Sequence, residues 1–440
     1  MPRHIASHKI PIDRISRSAI RVVESLRKAH YETYLVGGCV RDLLLGLDPK
    51  DFDVATSATP EEVKKVFPRA RIIGRRFRIV HVRMGREIIE VSTFRKQVDH
   101  GKVSNNGEHE SRHGVLVRDN VYGNIDQDAF RRDFTVNALY YDPAKNTVLD
   151  FVNSMQDLDS RTLRLIGNPK VRYQEDPVRI LRAIRFAAKL DFSLEKKTEK
   201  AISPGGKSLN AISPARLFDE LNKVFMSGTA QQAFALLQKF NLVEVLFPVS
   251  SDSPDLVTAA LQSTDRRIAE GKPVTPAFII AALLWNQYQS QSIALKNAAN
   301  PEEKPIDIAQ TVIKDQQSTI AIPKRHAFFV RDVWHLQARL ENRNRRSIYP
   351  LLEHRRFRAA YDFLLLRVRN AEVEPALGQW WTEIQALDPD EQQDRIRALT
   401  PHRKRRRRRP KSENPSPRTS NQIFTLKTLN PYLMIAVSLY

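Results

Sequence analysis

The segment from Leu35 to Ser57, LVGGCVRDLLLGLDPKDFDVATS, constrains the fold more than any other part of this 440-residue chain. A short apolar run predicts a strand, the glycine pair predicts a turn, and Val40 to Leu45 predicts a helix. A second strand is predicted at Phe52 to Ala55, with Asp51 and Asp53 on it. Since residues two apart on a strand point the same way, both carboxylates are expected on one face. This order of elements predicts an α/β domain with an acidic site.

Two carboxylates on one face repel each other unless a cation lies between them, and hard oxygen ligands suit Mg²⁺ that bridges to phosphates. Gly37 and Gly38 would let backbone amides approach a triphosphate at a helix N-terminus, which favours anions. Asp-x-Asp alone is common on protein surfaces. Its combination with Gly-Gly and Val-Arg-Asp within about 16 residues of a basic chain favours metal-dependent nucleotidyl transfer.

Arg41 follows the glycine turn on the first turn of the predicted helix. There its guanidinium is expected to bind triphosphate oxygens in a forked geometry. The alternative is a surface salt bridge with Asp42 or Asp48.

The charge balance indicates a polyanionic partner. The chain has 71 Lys and Arg against 50 Asp and Glu, a formal net charge of +21, which favours nucleic acid. A membrane surface would also attract this charge, but no run of about 18 apolar residues exists and the N-terminus lacks an apolar signal segment. We therefore expect a cytoplasmic protein. The single cysteine, Cys39, excludes an intramolecular disulfide and any multi-cysteine zinc site.

The pattern changes along the chain from mixed α/β to helical. Thr59, Pro60 and Glu62 predict a capped helix start. Strands are predicted at 71–73, 79–84 and 87–94, a polar loop or insertion at 96–120, and helices from 173 to about 385. The run of seven basic residues from Arg403 to Arg409 repels itself and is predicted to be disordered when free.

These changes predict five regions in the chain. They are an N-terminal extension with the first helix (1–32), a catalytic head (33–168), a helical neck (169–235), a helical body that binds RNA (236–395), and a basic, disordered tail (396–440).

Five motifs occur in an order that resembles the class II tRNA nucleotidyltransferase and bacterial poly(A) polymerase family. They are LVGGCVRDLLLG, KDFDVATSATPEEV, IIEVSTFR, RRDFTVNALYYD and EDPVRILRAIRFAAKL. The resemblance is strong from residue 33 to about 225. Beyond it, PARLFDELNKVF, AIPKRHAFFVRDVWHLQARL, LLEHRRFRAAYDFLLLR and the arginine run look more like bacterial poly(A) polymerases than like CCA-adding enzymes.

The resemblance implies a polymerase β-like head followed by helical neck, body and tail domains. It implies that Asp51 and Asp53 are catalytic ligands of two Mg²⁺ ions, or of Mn²⁺ in their place. The third carboxylate stays open: Asp133 is taken as catalytic and Glu90 as a further metal-shell acid. Glu90 could instead be an outward strand residue, and Asp133 could pair with Arg131 or Arg132.

The resemblance also implies which residues bind the nucleotide. Arg132 resembles the family's sugar and phosphate contact, and Asp176 and Arg179 resemble the pair that reads the incoming base. Arg182 would hold nearby phosphate or base. Asp176 could instead be an N-cap, because it stands directly before Pro177.

The activity implied is template-independent addition of AMP from ATP to RNA 3′ ends. The first alternative is a CCA-adding enzyme, which uses the same chemistry on tRNA. The second is an RNA-binding protein with a decayed head, against which the intact Asp51, Asp53, Arg41 and Arg179 argue.

Overall fold

A computed structural model describes residues 2–74, 77–96, 109–112, 115–119, 121–248, 254–298 and 307–399. Twelve strands occur in these residues: β1 Arg3–Ile5, β2 Thr33–Val36, β3 Asp53–Thr56, β4 Arg71–Ile73, β5 Ile79–Met84, β6 Glu87–Thr93, β7 His109–Arg112, β8 Val115–Asp119, β9 Leu139–Asp142, β10 Thr147–Asp150, β11 Thr162–Leu163 and β12 Ser193–Leu194.

Eight of these strands form one mixed sheet in the order β1-β10-β9-β2-β3-β6-β5-β4. Within this sheet as described, β3 and β6 run parallel and the other neighbours run antiparallel. Strands β7 and β8 form a separate antiparallel pair, and β11 pairs with β12. The sheet is the scaffold on which the head is built.

Five helices accompany the sheet: α1 Arg17–Lys28, α2 Gly38–Leu44, α3 Pro60–Val66, α4 Ile125–Arg131 and α5 Ser154–Asp159. Helix α1 begins where the Ser16 hydroxyl accepts from the amides of Ser18 and Ala19, an N-cap that satisfies two free donors. Its apolar side packs on one sheet face, where the alternating residues Val54, Val80 and Val91 are buried in the same core. The opposite sheet face is left for the acidic residues.

The remaining described chain is helical, apart from β12. Its helices are α6 Pro169–Glu175, α7 Val178–Leu190, α8 Lys196–Lys200, α9 Ile202–Gly206, α10 Pro214–Phe225, α11 Ala230–Lys239, α12 Val243–Leu246, α13 Pro254–Ala269, α14 Pro276–Leu283, α15 Trp285–Ala298, α16 Ile308–Gln317, α17 Lys324–Asn342, α18 Ile348–Leu352, α19 Phe357–Arg369, α20 Pro375–Ala386 and α21 Pro389–Arg397.

One hydrophobic core runs from the sheet through α7 and α10 into α14 and α17. A second core gathers around the fully buried Trp381 and holds α18 to α21 against the end of α17. A small third cluster, including Val36, Ala55 and Tyr140, lies on the sheet face opposite α1. The continuous core fixes α7 beside the head.

The predicted α/β head followed by helices is confirmed. The segment 96–120 was predicted as a polar loop or an insertion. The loop alternative is wrong in part, because β7 and β8 pair within the segment, and most of its other residues lie outside the described ones. The predicted disordered tail also lies outside them, except that α21 covers its first positions. The five region boundaries stay predictions. In the described part of the chain, every helix is too short or too polar to cross a bilayer.

Candidate active site

The glycine turn connects β2 to α2 at the edge of the acidic sheet face. Gly37 caps α2 with φ at +78°, a conformation that side chains disfavour. A Cβ there would lie 3.4 Å from Nη1 of Arg132 and 3.6 Å from the carbonyl oxygen of Asn137. Gly38 follows with room beside Nη2 of Arg41. The glycine turn therefore carries no side chain at the point where Arg41, Arg132 and Asn137 approach it.

Asp53 and Glu90 stand side by side on this face. Asp53 begins β3, and the parallel pairing places its Cα in register with that of Glu90 on β6. Burial raises the pKa of Asp53 to about 6, the charges of Glu90 and Asp51 act in the same direction, and Arg132 opposes them. The pair is thus electrostatically unfavourable without a cation.

Asp51 is exposed and precedes β3. The prediction that Asp51 and Asp53 share one strand is wrong, because the strand begins two residues later than the acidic pattern suggested. Among the described residues, no three His, Cys, Asp or Glu side chains stand in a ready-made metal-binding cluster.

Arg132 is held by a buried network at the end of α4. Its guanidinium donates to Oδ2 of Asp128 at 3.1 and 3.2 Å and to the Tyr140 hydroxyl at 3.0 Å, and the hydroxyl donates to Asp128 at 2.7 Å. Although burial opposes ionisation, Arg132 and Arg131 lower the pKa of Asp128 to about 2. The Arg132 side chain keeps 20% exposure, and its Nη1 lies toward Gly37.

Asp133 connects the head to the neck. Its Oδ1 accepts from the amide of Phe134 at 2.7 Å and from Asn137 at 3.2 Å, and its Oδ2 accepts from Arg182 of α7 at 2.6 and 2.7 Å. Burial alone would raise the pKa of Asp133, but Arg182 and these donors hold it far below its usual range. Arg131 and Arg132 pair with Asp128 instead.

Arg41 is buried, with 3% of its side chain exposed. It donates to Oδ1 of Asp42 at 2.6 and 2.8 Å and to the side-chain oxygen of Asn137. Its guanidinium also lies 5.3 Å from the Phe186 ring, which Arg182 and Arg185 approach at 5.3 and 4.4 Å. Three cations therefore surround one aromatic ring between head and neck.

The EDPVR motif spans the junction of α6 and α7. Asp176 ends α6 and accepts from Arg216 of α10 at 2.8 Å. Arg179 donates to Glu175 at 3.0 Å and to the Arg172 carbonyl at 2.7 Å. Glu175 also accepts from Arg172 at 2.7 Å. The two predicted base-reading side chains are thus held by partners from two helices, α6 and α10.

Comparison with known proteins agrees with this arrangement. Three protein-family models match this chain. They are the poly A polymerase head domain at residues 33–164, the probable RNA and SrmB binding site of polymerase A at 191–252, and the polymerase A arginine-rich C-terminus at 285–413. Poly(A) polymerase I of Salmonella typhimurium is 42% identical over 424 residues, covering 93% of this chain and 91% of the relative. The chain belongs to the bacterial poly(A) polymerase family. It is accordingly an RNA nucleotidyltransferase.

More distant relatives of this poly(A) polymerase family member are CCA-adding enzymes. The CCA-adding enzyme of Lactobacillus helveticus is 38% identical over 229 residues, which cover 51% of this chain and 54% of that enzyme. A solved apo structure of a CCA-adding enzyme is 19% identical with a TM-score of 0.59, and covers 89% of this chain and 98% of its own. That likeness shows a shared fold.

The structure brings together five of the eleven predicted site residues of this poly(A) polymerase family member. Gly37, Gly38, Arg132, Asp53 and Glu90 share one face. Arg41 was expected at the triphosphate, and that role stays a prediction. Its alternative pairing with Asp42 is present, but the ion pair is buried and not at the surface. The N-cap alternative for Asp176 is wrong, because Pro177 caps α7.

Sequence reasoning missed five residues of this family site: Asp128, Asn137, Tyr140, Phe186 and Arg216. Asp128 could have been found, since it stands four positions before Arg132 on one helix, the spacing of an ion pair. Asn137 lies within RRDFTVN, where only the charged residues drew attention. Arg216 carries no local signal, because 40 positions separate it from Asp176.

Proposed function

We propose that this enzyme adds adenylate residues from ATP to RNA 3′ ends without a template and releases pyrophosphate. The observation that carries the proposal is the extent of the match. Similarity to poly(A) polymerase I spans 93% of the chain, whereas similarity to the CCA-adding relative covers only 51%. The half of the chain outside that shorter match is what favours polyadenylation.

Asp51, Asp53 and Glu90 would hold the divalent ions. The donor set fits Mg²⁺, because it consists of hard carboxylate oxygens and because Asp53 and Glu90 repel each other in a partly buried site. When bound, two such ions activate the RNA 3′ hydroxyl and stabilise the leaving pyrophosphate. We assign Glu90, rather than Asp133, as the third carboxylate, since Asp133 is saturated by Arg182, Asn137 and Phe134.

The triphosphate would lie along the glycine turn. Gly37 leaves its backbone open, and Arg132 presents Nη1 from a network that Asp128 and Tyr140 hold rigid. A pre-positioned guanidinium loses little freedom when it binds phosphate. Arg41 would not contact the triphosphate itself. It would orient Asn137, whose side-chain amide donates to Asp133.

Asp176 and Arg179 would read the base, and Arg182 would position them by fixing α7 against Asp133. Adenine and cytosine both present an amino donor beside a ring-nitrogen acceptor, so either complements Asp176 and Arg179. Uracil and guanine present a carbonyl acceptor where adenine and cytosine present the amino donor, and an N–H donor where those bases present the ring-nitrogen acceptor. Leaving such groups unpaired costs on the order of 1–3 kcal/mol each, which suffices to reject UTP and GTP.

A test of the function is to incubate purified protein with a short unstructured RNA and each nucleotide separately, and to resolve the products on a denaturing gel. We expect a long ladder with ATP, at most slow addition with CTP, and none with UTP or GTP. Addition of only C-C-A to a tRNA that lacks its end, with no extension of unstructured RNA, would establish the CCA-adding alternative instead.

A further inference from the structure

Asp53 and Glu90 begin a row of side chains that crosses the sheet, and the next members of this row are basic. Asp53 on β3 is in register with Glu90 on β6, Glu90 with His81 on β5, and His81 with Arg71 on β4. Nε2 of His81 lies 3.3 Å from Oε1 of Glu90. Since residues directly opposite on neighbouring strands point to the same face, these four side chains form one line across the head.

An open groove lies at the outer end of this line. Arg69, Arg71, His81, Arg83, Gly85 and Ile88 line it and enclose about 610 Å³. We call it the arginine groove. The alternation along β5 explains its composition, because Val80 and Val82 are buried on the side of α1 while His81 and Arg83 lie on the opposite face.

The arginines of the groove have no acidic partner among the described residues. Within the described ranges, Arg69, Arg71 and Arg83 form no ion pair with an acidic side chain, and Nε of Arg83 donates to the Gly85 carbonyl at 3.3 Å. Arg132 and Arg182, near the glycine turn, are by contrast paired with Asp128 and Asp133. Positive charge without partners on an open face suits a polyanion.

The groove also has an apolar side. Ile88 is in register with Arg83 and remains 54% exposed. Charged side chains alone could be explained as protection of the edge strand β4 against pairing with another sheet. An exposed isoleucine beside them adds nothing to such protection, whereas it provides a surface for a base or sugar between two phosphate contacts.

We propose that the arginine groove binds the RNA strand a few nucleotides upstream of its 3′ end. This inference rests on the proposed function, because it takes the 3′ hydroxyl to lie at Asp53 and Glu90. From β3 to β4 the row crosses three strand spacings, ~14 Å. Nucleotides at the 3′ end lie over the acids, and Arg71, Arg83 and Arg69 contact the phosphates that follow, so the groove holds the strand while its end is extended.

The experiment compares Arg71→Gln/Arg83→Gln with the control Arg17→Gln/Arg21→Gln. Arg17 and Arg21 are exposed on α1, which covers the opposite sheet face, so both variants lose the same charge. Extension by ATP is measured on oligoadenylate primers from 2 to 20 nucleotides. Affinity for a labelled 20-nucleotide RNA is measured without ATP at several salt concentrations.

For the groove variant we expect the KM for the 20-nucleotide primer to rise about tenfold and the KM for ATP to stay unchanged. The log-log salt slope of RNA binding should fall by roughly 1.4, which is 0.7 for each of two phosphate contacts on a single strand. The ratio of wild-type to variant kcat/KM should fall toward one as the primer shortens to two nucleotides, since such a primer does not reach the groove.

Equal losses in the two double variants would overturn the proposal, because they would reflect overall charge. A loss on dinucleotides as large as on long primers would also overturn it, since it would point to a disturbed head. If the wild-type protein does not extend RNA with ATP, the proposed function fails, and the salt slope of RNA binding still decides whether the groove contacts RNA.

Discussion

Two groups of acidic side chains in the head differ in their surroundings, although both lie near the glycine turn. Asp53 faces Glu90, and burial together with the neighbouring negative charge raises its pKa to about 6. Asp128 and Asp133 are also largely buried, but Asp128 pairs with two arginines and Asp133 with Arg182. Hydrogen-bond donors also contact both, and the pKa of each is lowered. Similar burial therefore gives opposite shifts, and the neighbours decide the sign.

Under the proposed function, this difference separates acids that would bind the metal ions from acids that stabilise the fold. A saturated carboxylate such as Asp133 has no oxygen left for a metal without breaking its pair with Arg182. Two neighbouring carboxylates that repel each other destabilise the folded protein. Such a pair is expected at a functional site, where a bound ligand compensates the repulsion. Asp53 and Glu90 have this property, and we expect their substitution to affect catalysis more than stability.

The largest effect is expected from Asp53→Asn. Nucleotide addition should fall by about a thousandfold or more, equivalent to ~4 kcal/mol of activation free energy, because the site loses a charged ligand. Thermal stability should stay equal or increase, since a repelling charge is removed. The measurement is single-nucleotide extension together with thermal unfolding of the same preparation. A marked fall in the melting temperature would contradict the assignment of Asp53 to the first group.

The matched substitution Asp133→Asn should show the reverse pattern. The amide oxygen can still accept from Phe134 and Asn137, but Arg182 loses its counter-ion. We expect a loss of about 2–3 kcal/mol in the free energy of unfolding, below the cost of a fully buried pair because Arg182 is about a third exposed. Denaturant unfolding measures it. The double variant Asp133→Asn/Arg182→Gln should recover most of the loss, and failure to recover would show that the ion pair is not its source.

The pH dependence of stability should also separate the two groups. Asp53 has a raised pKa, so the stability that its protonation contributes is present below pH 4 and is lost as the pH rises toward about 6. Asp128 has a lowered pKa, so its contribution is present above pH 4 and is lost as the pH falls toward about 2. In melting curves recorded with a chelator, the stability of Asp53→Asn relative to wild type should increase by about 2 kcal/mol between pH 4.5 and 7. An unchanged difference would contradict the raised pKa.

The smallest effect is expected at an exposed ion pair. Arg14 pairs with Asp48, whose side chain is 86% exposed. Asp48→Asn should change the free energy of unfolding by no more than about 0.5 kcal/mol, because water screens the pair. The same denaturant assay used for Asp133 measures it. A loss comparable to that of Asp133→Asn would mean that burial does not distinguish these pairs.

Local patterns predicted the elements that carry the site. The period-two alternation at Ile79–Met84 and the capping box at Thr59 fixed their strand and helix because neighbours in sequence determine those signals. The turn at Gly37 and Gly38 was equally local. The start of β3 was misplaced, which leaves Asp51 before the strand, and α2 begins at Gly38 and not at the predicted Val40.

Partners distant in sequence could not be predicted in the same way. Which acid stands beside Asp53 depends on the register of β3 with β6, and which arginine meets Asp133 depends on how α7 packs on the head. Neither follows from the spacing of residue types. For that reason the sequence alone leaves the choice between Glu90 and Asp133 open.

The parallel pairing of β3 with β6 also affects when the site forms. Residues 53 and 90 are 37 positions apart, and the chain between them must build α3, β4 and β5 before the two acids can meet. At ribosomal rates of about 5–20 residues per second, Asp53 is made roughly 2–7 s before Glu90. The newly made chain therefore displays the glycine turn and its first arginines before it has a complete acidic pair. During synthesis, therefore, the site cannot be complete before β6 has been made and has paired with β3.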